Sequence, residues 1–205
     1  VALNNYTDIA EKLEEWLNRV GSSPVTTNAE DFIRLAQIRI QEQIRLSSME
    51  KLVSLTITAS QAAIPSDFLE VKEMVAFDGE SAWDVYRATY TRVRNQRLRT
   101  DLTGPEFFDT VAGNFEFGPA PSSGVSVDLV YYQEFTFISP TNPTNLVSDD
   151  NPELILYAAL IEASVFLKDF EQEKVYKGKY NGSLKRLEDQ KKKAEWSGRL
   201  RSLKS

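Results

Sequence analysis

NFEFGPAPSSGVSVDLVYYQEFTFISPTNPTNLVSDDNPELILYAALIEASVFLKD, residues 114–169, decides how the chain is read. Asn114–Phe117 reads as a strand and Pro119–Gly124 as a turn. Val125–Phe135 reads as a long strand with Val125, Val127, Leu129 and Tyr131 alternating on one face. A polar loop over Thr136–Asp150, with Pro140 and Pro143, leads to Asn151 as an N-cap and Pro152 as the first helical residue. Asp149 and Asp150 would complement the positive end of that helix dipole. The helix, to about Asp169, is apolar on nearly every side, and such a helix must be covered all round.

Upstream, Asn5–Val20 reads as a helix with Ile9, Leu13, Trp16, Leu17 and Val20 on one face and Gly21 as its stop. Ser22–Thr26 reads as a loop. Thr27 with Glu30 reads as a capping box for a second helix whose face is Phe32, Ile33, Ala36, Ile40 and Ile44. After Ser48 the period changes to that of strands: Leu52–Thr58, then Leu69–Phe77 after the turn Ala63–Phe68. Asp78-Gly79 is a hairpin signal, Trp83–Arg87 a third strand, and Tyr90–Leu98 a short helix or irregular arm. Phe107–Val111 pairs with Asn114–Phe117 across Ala112-Gly113.

Downstream, a fourth helix starts near Phe170 or Glu171 and reaches toward Arg201, with Val175 or Tyr176, Tyr180, Leu184 and Leu187 as its stripe. Gly178 and Gly182 within it read as a hinge or a close helix crossing. The P-loop spacing is missing. The expected fold class is α+β: a helical bundle of about four helices from both ends of the chain, an inserted antiparallel β module, and an extended basic C-terminal tail. The expected division is 1–49 for the N-terminal helices, 50–138 for the β module, 139–182 for the loop and C-terminal bundle helices, and 183–205 for the tail.

Composition removes whole classes of chemistry. The 205 residues contain no Cys and no His. Thiolate catalysis, Ser-His-Asp triads, disulfides and His-ligated metals are therefore excluded. No basic start followed by an apolar core opens the sequence, and Leu154–Leu167 is too short to span a bilayer. The expectation is a cytoplasmic protein without a membrane segment. Charge is uneven: Ser183–Ser205 holds eight basic residues against three acidic ones, so the rest carries −11 while the whole carries −6. A basic arm on an acidic body points to an acidic partner surface.

Four local patterns, in order, resemble the head-to-tail adaptor (connector) proteins of tailed bacteriophages, especially the podophage type. Ile64-Pro65-Ser66-Asp67-Phe68 resembles the family's "PSDF" turn, and Thr103-Gly104-Pro105 with Phe107-Phe108 resembles its "TGxPxxY" hairpin start. Phe117-Gly118-Pro119-Ala120-Pro121 resembles "LGPxP". Asp149–Leu154 followed by Leu156–Ala163 resembles "APDxLLYGxLLEA". The likeness implies a structural virion protein without catalytic residues, cofactor or metal. It implies a homo-oligomeric ring, a dodecamer, at the head–tail interface. That ring would bind the portal protein, extend the DNA channel, let genomic DNA pass without sequence-specific binding, and dock a downstream tail or nozzle protein. Assembly would take place in the host cytoplasm.

Two basic regions are the candidate sites. Lys185, Arg186, Lys191, Lys192, Lys193, Trp196, Arg199, Arg201 and Lys204 form the candidate portal-binding tail, Trp196 being a common type of interface anchor. The same run also reads as a DNA-binding segment or a solvated helix end. Arg87, Arg92, Arg94, Arg97 and Arg99, interleaved with Tyr86 and Tyr90, form a candidate intersubunit arm. Basic residues among aromatics also suit nucleic acid, so the alternative function is nucleic-acid binding through tail and arm. Against it stand a pI of about 4.9 and no recognisable DNA-binding motif. Glu162, inside the most apolar helix, is expected to pair with a bundle cation rather than to act as a catalytic acid. Adjacent Asp149 and Asp150 are read as cap and dipole partners before metal ligands.

Overall fold

The computed structural model describes residues 3–21, 23–99, 104–121 and 125–197. The fold is α+β, with two compact units: Val1–Ser48 with Phe135–Ser205, and Met49–Glu134.

In the first unit, α1 (Tyr6–Trp16) begins with Asn5, whose side chain accepts the Asp8 N–H at 2.9 Å and donates to the Asp8 carboxylate at 2.8 Å. Ile9 and Leu13, one turn apart, are its buried residues. The helix stops four residues short of the expected Val20, because Asn18 turns left-handed at φ 53°. Val20 is 74% exposed and Gly21 instead donates its N–H to the Glu14 carboxylate. Helix α2 (Ser23–Gln43) starts earlier than expected. Pro24 lies in its first turn, where a missing N–H costs nothing, so it opens the helix rather than belonging to a loop. Thr27 is thus inside the helix and caps nothing. Val25, Ala29, Phe32, Ile33, Ala36 and Ile40 are buried, with the amide of Gln37 among them.

The segment 136–150 is not all loop. It contains α4 (Leu146–Asp150), whose N-cap Asn145 accepts from the Val147 and Ser148 N–H groups while the Ser148 hydroxyl accepts from Asn145 N. Asp149 and Asp150 lie inside this helix. Asn151, expected as a cap, makes no side-chain cap bond. Helix α5 (Pro152–Phe166) has nine buried residues and touches α1, α2, α4 and α6. Lys168, left-handed at φ 58°, turns the chain, and the Asp169 carboxylate accepts the Gln172 N–H at the start of α6 (Phe170–Ser197). Tyr176, Tyr180 and Ser183 face inward, whereas Val175 is 52% exposed. Open space lies beside Gly178 and Gly182, so neither marks a close helix crossing.

The second unit holds two four-stranded sheets. The first has the order β1 (Glu50–Leu55), β8 (Ser126–Gln133), β3 (Phe68–Phe77), β4 (Ala82–Asp84) and is antiparallel throughout. The second runs β2 (Gln61–Ala63), β7 (Asn114–Gly118), β6 (Phe107–Val111), β5 (Tyr86–Arg87). Its last pair is parallel, which corrects the purely antiparallel expectation. Alternation places Val127, Leu129 and Tyr131 of β8 in a core with Met74, Ala76, Phe108, Phe115 and Phe117. The expected hairpins form at Asp78-Gly79, whose aspartate accepts the Glu80 and Ser81 N–H groups, and at Ala112-Gly113, with φ 49° and 80°.

Three strands depart from expectation. Strand β1 ends at Leu55, and Thr58 instead bridges Gln61 around Ala59 and Ser60, both left-handed. That turn, with no Gly or Asn to signal it, creates the unexpected β2. The run Trp83–Arg87 divides at buried Val85, which donates its N–H to Met74 O at 2.8 Å. Trp83 then stays with β3, and Tyr86-Arg87 joins β6. Tyr90–Gln96 is helix α3, as expected of that arm.

Candidate docking surfaces

The motif residues that mark the β unit are builders of its frame. Asp67 is reached by Lys51 Nζ and by the Tyr131 hydroxyl, each at 2.7 Å, and its carbonyl accepts the Glu134 N–H. These donors hold the Asp67 carboxyl below its ordinary range, Lys51 being the larger cause. Burial first, and then the hydrogen bond to Asp67, pushes the Tyr131 phenol up. Phe68, next in the motif, packs edge-on against Phe115 at 5.5 Å. Gly104 is the seat of Trp83: a Cβ there would stand 2.3 Å from the indole ring, and the indole N–H is donated to Pro105 O at 2.8 Å. Gly118 lies under α3, where a Cβ would meet Val93 O at 2.2 Å.

The five arginines of the arm have different fates. Arg97 serves its own chain: Nε donates to Phe117 O, and Nη2 donates to Ser60 O and to the buried Glu116 carboxylate, which also receives Gln61 Nε2. Arg99 closes the helix with its backbone N–H on Gln96 O. Arg92 lies 4.2 Å over the Phe107 ring and Arg94 5.8 Å over the Tyr90 ring, both on exposed positions. Arg87 is the most open of those with a recorded ion pair, at 4.0 Å from Asp109.

As far as Ser197, the basic C-terminal run is the continuation of α6, which passes through Ser183 without a break. Arg186 reaches Glu153 at 3.3 Å and the Ser183 hydroxyl at 2.8 Å, and Lys191 donates to Arg45 O. Lys185, Lys192 and Lys193 are exposed on the helix. The Trp196 side chain and all of Arg199, Arg201 and Lys204 lie outside the described residues. Glu162 pairs with Arg39, the structural partnership expected of it.

Two recesses complete the surface. A groove of about 440 Å³ lies between the end of α2 and α6, with Ile44, Leu46, Leu184 and Leu187 as its apolar lining. A larger cleft of about 660 Å³ separates β3 from β5. Its rim carries Glu70, Glu73 and Asp84, which the sequence reading passed over. They are ordinary surface acids until strand pairing sets them around one opening. Among the described residues, no three acidic side chains converge in a metal-binding group, and no helix is long and apolar enough to cross a membrane. These surfaces offer charge and shape for macromolecular contact.

A family model described as SU10 adaptor protein matches residues 4–203. No curated protein matches the chain.

Proposed function

The chain belongs to the SU10 adaptor protein family, and from that membership we propose that it is a structural head-to-tail adaptor of a tailed bacteriophage. The observation that carries this reading is the family match over nearly the whole chain. In the virion the protein forms a ring, a dodecamer, beneath the portal protein. The ring extends the DNA channel and presents a surface to the next tail component. It works by binding and not by catalysis.

The basic end of α6 is the portal contact. Lys185, Lys192 and Lys193 project from a helix whose inner side, through Tyr176 and Tyr180, is already held by the fold. Their ammonium groups are therefore presented outward, ready for carboxylates of a partner. Trp196, Arg199, Arg201 and Lys204, farther along the sequence, belong to the same proposed contact. Each such contact is weak in salt water. A ring presents all copies at once, and effective concentration turns modest contacts into stable docking. The acid-rich remainder, at −11, suits a channel wall that repels phosphates and lets DNA slide.

Deletion of Lys192–Ser205 tests the assignment and spares the contact of Lys191 with Arg45. The truncated protein keeps the far-ultraviolet circular dichroism of the full chain and no longer co-sediments with portal rings. Undiminished co-sedimentation would remove the tail from the interface. If the tail acts on DNA instead, the full chain shifts duplex DNA at physiological salt and the truncated chain does not.

A further inference from the structure

We propose that the cleft between β3 and β5 is the intersubunit socket of the ring, and that its occupant is helix α3 of a second copy of this chain. This rests on the ring reading above. It names the two surfaces that meet.

The cleft exists because β3 has two different edges. One edge pairs with β8 from Phe68 to Phe77, while the other is taken by β4 only over Val75–Phe77. At Val85 the chain leaves for the second sheet, and the two strands diverge around a cavity of about 660 Å³. Phe68, Met74, Val85 and Phe108 line it, while Glu70, Glu73 and Asp84 stand among its polar residues. Its two cations are already matched within the chain: Lys72 by Glu50 at 2.6 Å and Arg87 by Asp109 at 4.0 Å. Three acids against two cations give the lining a formal charge of −1, over an apolar floor.

An added β-strand does not suit this edge. The register of β3 shifts between Phe68 and Glu70 and again between Val71 and Glu73. Bulges of that kind twist an edge away from regular pairing. The occupant must bind through side chains, with cations at its rim and an apolar tip. The exposed stripe of α3 has that composition. Tyr90, Arg94 and Leu98 fall four residues apart, on one face of α3 and the turn that follows it. Val93, beside this stripe on the side turned to the sheet, is fully buried. Leu98 is 82% exposed, the most open large hydrophobic residue among the described residues. A leucine flanked by arginine and tyrosine, and an apolar cleft rimmed by carboxylates, are complementary in charge and in hydropathy. Because socket and plug are different surfaces, each copy offers both. Such a head-to-tail contact does not stop at a dimer, and it forms a ring when the rotation between neighbours closes.

The chain has no cysteine, so the full-length double variant Glu73→Cys/Leu98→Cys carries a unique pair of thiols at two exposed positions. Mild oxidation of rings assembled on portal is expected to give a ladder of covalent oligomers up to the full ring. Mixing the two single variants is expected to give covalent dimers only. Rings visible by electron microscopy without a ladder would overturn this interface and leave the ring intact. No ring in the presence of portal would overturn the ring reading and the socket with it. A second variant guards against a thiol geometry that fails to close. Arg94→Glu should abolish ring formation, and combination with Glu73→Arg should restore it. Rings that form normally with Arg94→Glu alone would contradict the proposal.

Discussion

Asp67 is where a short sequence motif becomes a structural constraint. Its carboxylate receives Lys51 and Tyr131, which face each other on the paired strands β1 and β8. Its folded pKa lies below the value of about 3.9 that an unfolded chain would show. The stabilisation is therefore complete at neutral pH, and it is lost as pH falls through the unfolded value and then the folded one. Asp67→Asn should lower stability by about 1–2 kcal/mol at pH 7, below the middle of the range for hydrogen bonds to a charged group because solvent screens the exposed Lys51 partner. In urea unfolding, the gap between wild type and variant should shrink steadily below pH 4. A gap unchanged between pH 7 and pH 2.5 would mean that the carboxylate charge contributes nothing. Tyr180 illustrates the opposite pressure. Burial raises its phenol to about 12, so it stays neutral and donates to Gln43 at 2.8 Å throughout the accessible range.

At the scale of elements, one buried amide ties α2 to the segment that leads into α4 and α5. Gln37 donates to Ile138 O, accepts the Ile138 N–H at 2.7 Å and accepts from Asn145 Nδ2 at 3.0 Å. It is fully buried and holds both backbone groups of Ile138, while Asn145 Nδ2 also donates to Thr136 O at 2.9 Å. Gln37→Met keeps the bulk and removes the partners, and should cost about 1–3 kcal/mol, read as a lowered melting temperature. A melting temperature equal to wild type would mean that water replaces the amide. This clamp was invisible in the sequence, because a glutamine on a helix gives no sign of what lies a hundred residues away.

The same distinction runs through the other elements. Helix α5 was legible because all-round hydropathy needs no partner to be recognised, and the Asp78-Gly79 and Ala112-Gly113 turns because their residues carry the backbone geometry themselves. The division of Trp83–Arg87 between two sheets was not legible. It depends on which distant strand each half meets, and nothing local distinguishes Trp83 from Tyr86. The same reason hid the cleft acids, and it hid the commitment of Arg97 to Glu116. Pro24 misled in another way: the residue that breaks a helix interior also begins one.

At the scale of the whole molecule, a member of an adaptor family carries two kinds of surface. The basic end of α6 would face the portal, and the socket and plug of the β unit would join neighbours. Both are electrostatic and exposed, so ring assembly on the portal should weaken as salt rises. The most direct measurement is electron microscopy of the purified full chain mixed with portal rings at moderate salt. A second ring stacked coaxially on each portal, with the symmetry of a closed head-to-tail assembly, is the expected result. Portal rings that stay bare in a large excess of folded protein would contradict it.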